Sequence, residues 1–257
     1  MLQAALKMIF PDQCLLCGAL TDGANGLCPG CWRDTPFLLT RGCVLCGAPI
    51  LGDEDGTDAR CDECHADGRP WDRGASVMLY RGTARRLVMA IKHGDRLDLL
   101  PRLAAWMVPK ARPLASPGTL IVPVPIHWRR LLRRRHNQAA GLARPLAAAL
   151  DCPCLPDALI RLRATPLQRN MTREERAALQ LGSVAPAPLW RDRLKDQNIL
   201  LVDDVMTTGA TLAACAAACH AAGAREVSVV TLALAARAPL VTVIGKIGEL
   251  SCRPSRS

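Results

Sequence analysis

The segment from Leu200 to Thr211 joins two adjacent carboxylates to a turn rich in hydroxyl groups. An apolar run leads into Asp203 and Asp204, and Thr207-Thr208-Gly209-Ala210-Thr211 follows two residues later. Glycine allows a backbone to approach a ligand closely, and a helix N-terminus offers free N–H groups and positive partial charge. We therefore expect the turn to hold a phosphate group. The carboxylates can accept hydrogen bonds from a sugar diol or orient water on a Mg²⁺ ion.

The simplest alternative is a strand, a turn and a helix in which Thr and Asp serve only as caps. The complete order of apolar residues, two acids, two apolar residues and Thr-Thr-Gly-Ala-Thr is more specific than a cap requires. The segment is not a Walker loop, because the Gly-Lys-Ser/Thr ending is absent, and it is not a dinucleotide-binding fingerprint. It resembles the signature with which type I phosphoribosyltransferases bind phosphoribosyl pyrophosphate (PRPP).

Eight of the thirteen cysteines form four Cys-x-x-Cys pairs near the N-terminus. The pattern repeats, because Cys14-Leu-Leu-Cys17-Gly18 is echoed by Cys43-Val-Leu-Cys46-Gly47, and this indicates two copies of one small unit. Four thiolates in two such pairs are typical of a tetrahedral zinc site that is structural, since the protein fills every position. We predict two structural Zn²⁺ ions, one held by Cys14, Cys17, Cys28 and Cys31 and the other by Cys43, Cys46, Cys61 and Cys64.

Other interpretations of the cysteines stay open at this point. The two sets of ligands could be cross-braced, iron also accepts four thiolates, and His65 could replace Cys64 as a ligand. A redox-active Cys-x-x-Cys is disfavoured because four such pairs lie so close together. The remaining cysteines are interpreted as small core or surface residues: Cys152, Cys154, Cys215, Cys219 and Cys252.

Two domains are expected to carry these motifs. We place the boundary where the cysteines stop, so that residues 1–73 form an N-terminal helix with a double zinc ribbon and residues 74–257 form a phosphoribosyltransferase-like domain. In the second part, apolar strands predicted over 76–80, 119–124, 198–202 and 226–233 alternate with helices over 83–92, 101–110, 137–150 and 210–222. This α/β order predicts a mostly parallel sheet with helices on both faces. An edge strand over 240–244 is a further candidate.

The charge and the hydropathy restrict the class of protein. The formal net charge is +10, and two Zn²⁺ ions on eight thiolates would reduce it to about +6. A basic surplus favours an anionic partner such as phosphate or nucleic acid. No stretch approaches the roughly 20 apolar residues of a membrane span, and the N-terminus does not have the pattern of a signal peptide. We therefore expect a cytoplasmic protein. Thiols stay reduced in that compartment, so that the cysteine pairs are available for metal binding.

A cluster of arginines follows Trp128. It could contact pyrophosphate or follow the backbone of single-stranded DNA, with Trp128 as a stacking platform. A solvated helix start is the alternative interpretation, because runs of charge usually face water. The candidate nucleic-acid contacts are Arg129, Arg130, Arg133, Arg134 and Arg135.

Together these motifs resemble the ComF family, competence-associated proteins with a double zinc ribbon and a phosphoribosyltransferase-like domain. Besides the cysteines and the Asp-Asp segment, the resemblance rests on Tyr80-Arg81-Gly82, Ile91-Lys92-His93-Gly94, Val122-Pro123-Val124-Pro125-Ile126-His127, Asn137-Gln138-Ala139, Arg161-x-Arg163-x-Thr165-x-x-Gln168 and Arg176. The sequence departs from the family pattern at Arg135-His136, where Gly-Phe is frequent, and at Leu179 and Val184.

The resemblance implies Mg²⁺-dependent PRPP binding and a part in DNA uptake or recombination. It implies that the stretch from Arg161 to about Arg176 is a mobile loop that closes over the donor, which makes Arg163 and Arg176 catalytic candidates beside Asp203 and Asp204. The candidate PRPP-binding residues are Asp203, Asp204, Val205, Met206, Thr207, Thr208, Gly209, Ala210, Thr211, Lys92, Pro125 and His127. Arg169 is a further candidate for a phosphate contact.

Three hypotheses for function follow. The first is an enzyme that transfers the phosphoribosyl group from PRPP to an acceptor that the sequence does not identify. The second is a non-catalytic module that responds to PRPP or a nucleotide while it binds single-stranded DNA or a helicase of the DNA-uptake machinery, with an affinity that falls steeply with salt. The third is a zinc-stabilised adaptor with a decayed site, which the intact acidic pair and Thr-Thr-Gly-Ala-Thr turn disfavour.

Overall fold

The structure is a computed structural model that describes residues 12–21, 26–39, 42–50, 58–93, 96–126, 136–162 and 182–235. In chain order its elements are α1 (Pro29–Arg33), α2 (Asp62–Asp67), β1 (Arg73–Leu79), α3 (Gly82–His93), α4 (Leu100–Ala111), β2 (Leu120–Pro123), α5 (Gln138–Leu150), β3 (Leu159–Arg161), β4 (Val184–Pro186), α6 (Arg191–Leu194), β5 (Asn198–Met206), α7 (Ala210–Ala221) and β6 (Glu226–Leu234). The predicted N-terminal helix and the predicted strand over 240–244 lie outside the described residues.

Four parallel strands form the central sheet in the order β1–β6–β5–β2. The strands are apolar and almost entirely buried, as expected for a parallel sheet that is covered on both faces. This confirms the predicted α/β fold class. The two central strands, β5 and β6, run in register from Asn198 opposite Glu226 to Met206 opposite Leu234.

Two apolar clusters cover the two faces of the sheet. One cluster joins α3, α4 and α5 to Leu200, Val202 and Val230. The other cluster joins α7 to Leu201 and Val229, and it includes the cysteines of the second Cys-x-x-Cys unit. The cysteine-rich region is therefore continuous with the core of the sheet.

The cysteine-rich region also covers the free edge of β1. The Leu38 N–H donates to the Val77 carbonyl at 2.8 Å, and the Gly74 N–H donates to the Val44 carbonyl at 2.7 Å. A Cβ on Gly74 would overlap the Leu45 carbonyl oxygen, so only glycine permits this close approach. Exposed edges invite pairing with other chains, and here both cysteine units protect the edge.

Strand β5 differs from its prediction in length. The prediction ended at Val202, before the two acids, whereas the strand continues to Met206. It continues because β6 extends the ladder, pairing Asp203 with Thr231 and Met206 with Leu234. The acidic pair consequently belongs to a rigid strand and not to a loop.

A small two-stranded antiparallel sheet, formed by β3 and β4, was not predicted. Each of its strands has three residues, too few to show a hydrophobic period. No helix in the described parts of the chain is both long and apolar enough to cross a membrane.

Candidate functional site

Each cysteine unit brings its four sulfur atoms together. Within a unit, all four Sγ atoms lie within 4.8 Å of one another, and the grouping follows chain order instead of being cross-braced. We call Cys14, Cys17, Cys28 and Cys31 the first tetrad, and Cys43, Cys46, Cys61 and Cys64 the second tetrad.

The spacing of the sulfur atoms fits a tetrahedral metal. With Zn–S bonds of about 2.3 Å, neighbouring sulfurs should lie about 3.8 Å apart. The Cys17–Cys28 and Cys46–Cys61 Sγ distances are 3.7 and 3.6 Å. Both tetrads therefore fit structural zinc with no open position. Their knuckles also match, because the Gly18 and Gly47 N–H groups donate to the Cys14 and Cys43 carbonyls, respectively.

The first zinc ribbon, residues 12–39, contacts helix α4 through aromatic rings. Trp32 and Phe37 of the ribbon meet Trp106 of the helix, with ring centroids 6.1 and 5.3 Å from that of Trp106, both edge to face. The Thr83 hydroxyl adds a hydrogen bond to the Asp34 carbonyl at 2.9 Å. Cys17 remains exposed.

The second zinc ribbon, residues 42–67, is packed more deeply. Cys43, Cys46 and Cys64 are buried at 1, 4 and 0% exposure. The Ser76 hydroxyl donates to the Cys46 carbonyl, and the Trp71 Nε1–H donates to the Leu45 carbonyl at 2.7 Å. These bonds attach the ribbon to strand β1 and to the segment before it.

The two adjacent carboxylates lie near the carboxyl end of β5, where open parallel sheets bind their ligands. The Asp204 carboxylate forms an ion pair with the Lys92 ammonium group of α3, with an Nζ–Oδ1 distance of 3.0 Å. Asp203 accepts a hydrogen bond from the Asp204 N–H at 2.8 Å. The structure thus brings together three residues that the sequence proposed as site residues.

Burial raises the pKa of Asp203 to about 7, and the negative charge of Asp204 adds to the shift. The Asp204 N–H and the charges of Lys92 and Arg161 oppose it. A cationic ligand beside the carboxylate would favour its ionised form for the same electrostatic reason. The two carboxylates are therefore suited to bind a metal ion, or to accept hydrogen bonds from the diol of a sugar that is itself bound to a metal.

The turn Thr207–Thr211 connects β5 to helix α7, and Gly209 is the N-cap of that helix with a left-handed φ of 76°. The Ala210 N–H points to the Thr208 hydroxyl at 3.4 Å. The Arg69 Nη1 donates to the Thr208 carbonyl at 2.6 Å. We call this segment the 207–211 turn.

Strand β2 contributes the facing wall of the site. The chain leaves the strand through Val124, Pro125 and Ile126, and the Asn137 side chain donates to the Val124 carbonyl at 3.1 Å. Asn137 also caps helix α5 by accepting from the Ala139 N–H. This amide therefore fixes the end of β2 against the start of α5.

Two adjoining clefts open at this edge of the sheet. The smaller has a volume of about 200 Å³ and contains both acids, Lys92 and Thr211 in its lining. The larger has a volume of about 630 Å³ and is lined by Leu100, Gly141, Leu159 and other residues. The two clefts share Pro125, Ile126, Asn137 and Arg161.

The side chains of two proposed site residues pack into the core and line neither cleft. The Met206 side chain is buried in the core at 1% exposure, and Val205 packs against the cluster on the other face. The candidates His127, Arg163 and Arg176, together with Arg169 and the arginine cluster 129–135, lie outside the described residues.

Residues that were not proposed as site residues also line or support the clefts. Arg161 and Gln138 line the smaller cleft, and Gln138 donates to the Ile91 carbonyl next to Lys92. The family resemblance placed Arg161 at the start of the loop expected to close over the donor, whereas the structure places it in strand β3. The resemblance gave Gln138 no role in the site. No sequence motif marked Arg69 as a site residue, because its hydrogen-bond partner Thr208 is 139 residues away in the chain.

Comparison with known proteins agrees with this architecture. Residues 5–65 match the double zinc ribbon domain, and residues 136–243 match the phosphoribosyl transferase domain. The DNA utilization protein YhgH of Escherichia coli (strain K12) is 32% identical over 210 residues, which cover 79% of this chain and 88% of the relative. The chain belongs to the ComF family.

Other ComF relatives show the same extent of similarity. Competence protein F of Haemophilus influenzae is 28% identical over 233 residues, which cover 88% of this chain and 98% of the relative. The DNA utilization protein YhgH of Salmonella typhimurium is 30% identical over 210 residues, which cover 79% of this chain and 88% of the relative. The similarity to ComF proteins thus includes both the ribbons and the sheet.

Proposed function

We propose that the protein binds PRPP with Mg²⁺ at the carboxyl edge of its sheet and transfers the phosphoribosyl group to an acceptor, in DNA uptake or recombination. The observation that supports this most strongly is the placement of Asp203 and Asp204 near the end of a rigid strand that leads directly into the 207–211 turn. The names of the relatives, which refer to competence and DNA utilization, support the biological context.

The chemistry can be assigned to groups of this chain. The 207–211 turn holds one phosphate through backbone N–H groups and threonine hydroxyls, aided by the N-terminus of α7. Asp203 and Asp204 would accept hydrogen bonds from the ribose hydroxyls or hold the water on Mg²⁺, and the ion would neutralise charge on the departing pyrophosphate. Lys92 pairs with Asp204 and adds a positive charge at the pyrophosphate side of the cleft.

In the transfer step, a nitrogen of the acceptor forms a bond to the anomeric carbon of the ribose. The bond from that carbon to pyrophosphate breaks, and pyrophosphate leaves with the electron pair. The acceptor then loses a proton to water. No strong base is needed if positioning and stabilisation of the leaving group lower the barrier. Arg163, Arg176 and His127 are proposed to contact the pyrophosphate.

The larger cleft gives the acceptor a location in this proposal. It adjoins the smaller cleft through Asn137 and Arg161, so an acceptor there would meet the donor at a shared wall. Leucine and proline side chains in the lining suit the faces of a planar heterocycle, and the polar groups of Asn137 and Asp157 could orient its edge.

A second candidate function is a PRPP-responsive module that binds single-stranded DNA or a helicase of the uptake machinery without catalysis. The name of the YhgH relatives favours it, because that name refers to DNA utilization and not to a nucleotide product. In this case the cluster Arg129, Arg130, Arg133, Arg134 and Arg135 would contact DNA phosphates.

The experiment compares the wild-type chain with the double variant Asp203→Asn/Asp204→Asn. PRPP binding is measured by calorimetry with and without Mg²⁺, and pyrophosphate release is measured with nucleobases or single-stranded DNA as acceptors. We expect Mg²⁺-dependent binding by the wild-type chain. Because both carboxylates act on the donor and its metal, the double variant should lose at least about a hundredfold in turnover. Asp192→Asn, an exposed carboxylate outside both clefts, is the matched control.

The outcomes separate the two functions. PRPP binding with pyrophosphate release supports the enzyme, whereas binding without release for any acceptor supports the PRPP-responsive module. Unchanged turnover in the double variant would contradict the site, and a wild-type chain that does not bind PRPP would contradict both functions.

A further inference from the structure

Arg69 lies between the second zinc ribbon and the 207–211 turn. Its side chain is only 8% exposed. One guanidinium nitrogen, Nη1, donates to the Thr208 carbonyl at 2.6 Å. A buried guanidinium that donates a short hydrogen bond to a loop carbonyl fixes the position of that loop.

The other nitrogens of Arg69 face the second tetrad. Nε lies 3.5 Å from Cys64 Sγ, and Nη2 lies 3.4 Å from the Glu63 carboxylate. The guanidinium carbon also lies 5.4 Å from the centre of the Trp71 ring. A metal-bound thiolate is negatively charged and accepts such N–H groups. The position of Arg69 therefore depends on the position of Cys64, which a bound metal would fix.

The bond to Thr208 determines where the next N–H group points. In a trans peptide, the carbonyl of one residue and the N–H of the next point in opposite directions. Since the Thr208 carbonyl is directed at Arg69, the Gly209 N–H is directed away from it. Arg69 thus presets one of the N–H groups that the turn offers to a phosphate.

Gly209 is adapted to this contact. Its φ is 76°, and a Cβ at this position would lie 2.7 Å from Arg69 Nη1 and 3.1 Å from the Trp71 ring. The glycine therefore serves two purposes, because it permits both the left-handed turn and the close approach of the second ribbon. A turn that is shaped before the ligand arrives loses less entropy on binding.

We propose that Arg69 is a positioning residue that couples metal occupancy of the second tetrad to phosphate binding by the 207–211 turn. This inference rests on the proposed function, since the phosphate is that of PRPP. We expect the first tetrad to have no part in the coupling, because the contacts of its ribbon in the described residues run to helices α3 and α4 and to the far half of β1.

The test uses the full chain with the substitutions Arg69→Gln and Arg69→Lys. The matched control is Arg73→Gln, because Arg73 also pairs with a carboxylate, that of Glu226, and donates to a backbone carbonyl, that of Pro113. For each chain, PRPP affinity with Mg²⁺ is measured by calorimetry and zinc content by mass spectrometry. We expect Arg69→Gln to weaken PRPP binding about tenfold with two zinc ions retained, because a charge-assisted bond to the turn is lost. Arg69→Lys should have an intermediate affinity, and Arg73→Gln should bind normally.

A second measurement distinguishes coupling from a general structural role. Cadmium-113 replaces zinc, and the resonances of the two tetrads are followed by NMR as PRPP and Mg²⁺ are added. Because coupling between sites is reciprocal, PRPP should shift the resonances of the second tetrad and leave those of the first unchanged. In Arg69→Lys, which keeps the buried charge, the shift should shrink.

The two proposals can fail separately. A wild-type chain that binds no PRPP overturns the proposed function and this inference with it. Normal PRPP affinity of Arg69→Gln with two zinc ions overturns this inference alone. If Arg69→Gln does not fold, wild-type affinity in Arg69→Lys, or a wild-type second tetrad that does not respond to bound PRPP, overturns it.

Discussion

The first zinc ribbon rests on helix α4 through Trp32 and Phe37, whereas the second ribbon lies beside the 207–211 turn with most of its sulfur atoms in the core. Cys17 of the first tetrad is exposed, while Cys46 of the second is 4% exposed. The knuckles are built from the same repeat, so the difference arises from what surrounds them. One copy supports helix α4 from the outside, and the other packs into the core beside the 207–211 turn.

The largest expected difference is in stability after loss of one cysteine ligand. Cys46→Ser places a hydroxyl in the core and removes a buried ligand, so we expect the melting temperature to fall on the order of 10 °C. Cys17→Ser removes an exposed ligand and should lower the melting temperature by much less. Circular dichroism melts, with zinc content measured in parallel, check this. Equal decreases in the two variants would contradict the comparison.

A smaller effect should come from the backbone contact between the second ribbon and β1. Gly74→Ala would drive a methyl group into the Leu45 carbonyl and the Val229 side chain, at a cost of about 2 kcal/mol in the free energy of unfolding. Gly30→Ala, in α1 of the first ribbon, meets no atom within 4 Å and should change this free energy by less than about 1 kcal/mol. Urea unfolding of both variants measures the difference. A tolerated alanine at 74 would show that the second ribbon is not tightly docked.

The smallest expected effect is a dependence of the free energy of unfolding on pH, which arises at Asp203 and not in the ribbons. The pKa of Asp203 is raised from 3.8 to about 7, so between these values the folded chain binds a proton that the unfolded chain has released. The contribution of Asp203 to the free energy of unfolding therefore falls as pH rises to about 7 and is constant above that value. Asp203→Asn should stabilise the ligand-free chain, and more at pH 8 than at pH 6. Urea unfolding at the two pH values checks this, and an equal gain at both would show that burial of Asp203 carries no linked proton.

The parts of the molecule that were predicted correctly have local signals. Continuous apolar runs marked the four strands of the sheet, and the Cys-x-x-Cys repeat marked both tetrads and their grouping. The acidic pair and the 207–211 turn were recognisable because the residues that shape the turn are adjacent in sequence. The helix predicted over 137–150 begins one residue later, at Gln138, because Asn137 is its N-cap.

The parts that were missed depend on contacts between distant segments. Strand β5 passes through the two acids because β6 pairs with it, and nothing within residues 203–206 requires an extended chain. The two-stranded sheet of β3 and β4 consists of two three-residue strands that are distant in sequence. Arg69 follows the last cysteine of the second tetrad and belongs to no motif, and only the folded chain brings it to Thr208.

The pairing of β1 with β6 has a consequence for synthesis of the chain. The Ser76 and Thr231 hydroxyls, bonded across these strands, are 155 residues apart, so β1 leaves the ribosome long before its partner exists. Both tetrads precede β1 and can take up metal as they emerge. The ribbons then cover one edge of β1, and the other edge stays unpaired until β6 has been made. This late and non-local pairing is expected to limit the folding rate. Early metal uptake would thus shelter a nascent strand from aggregation until the sheet is complete.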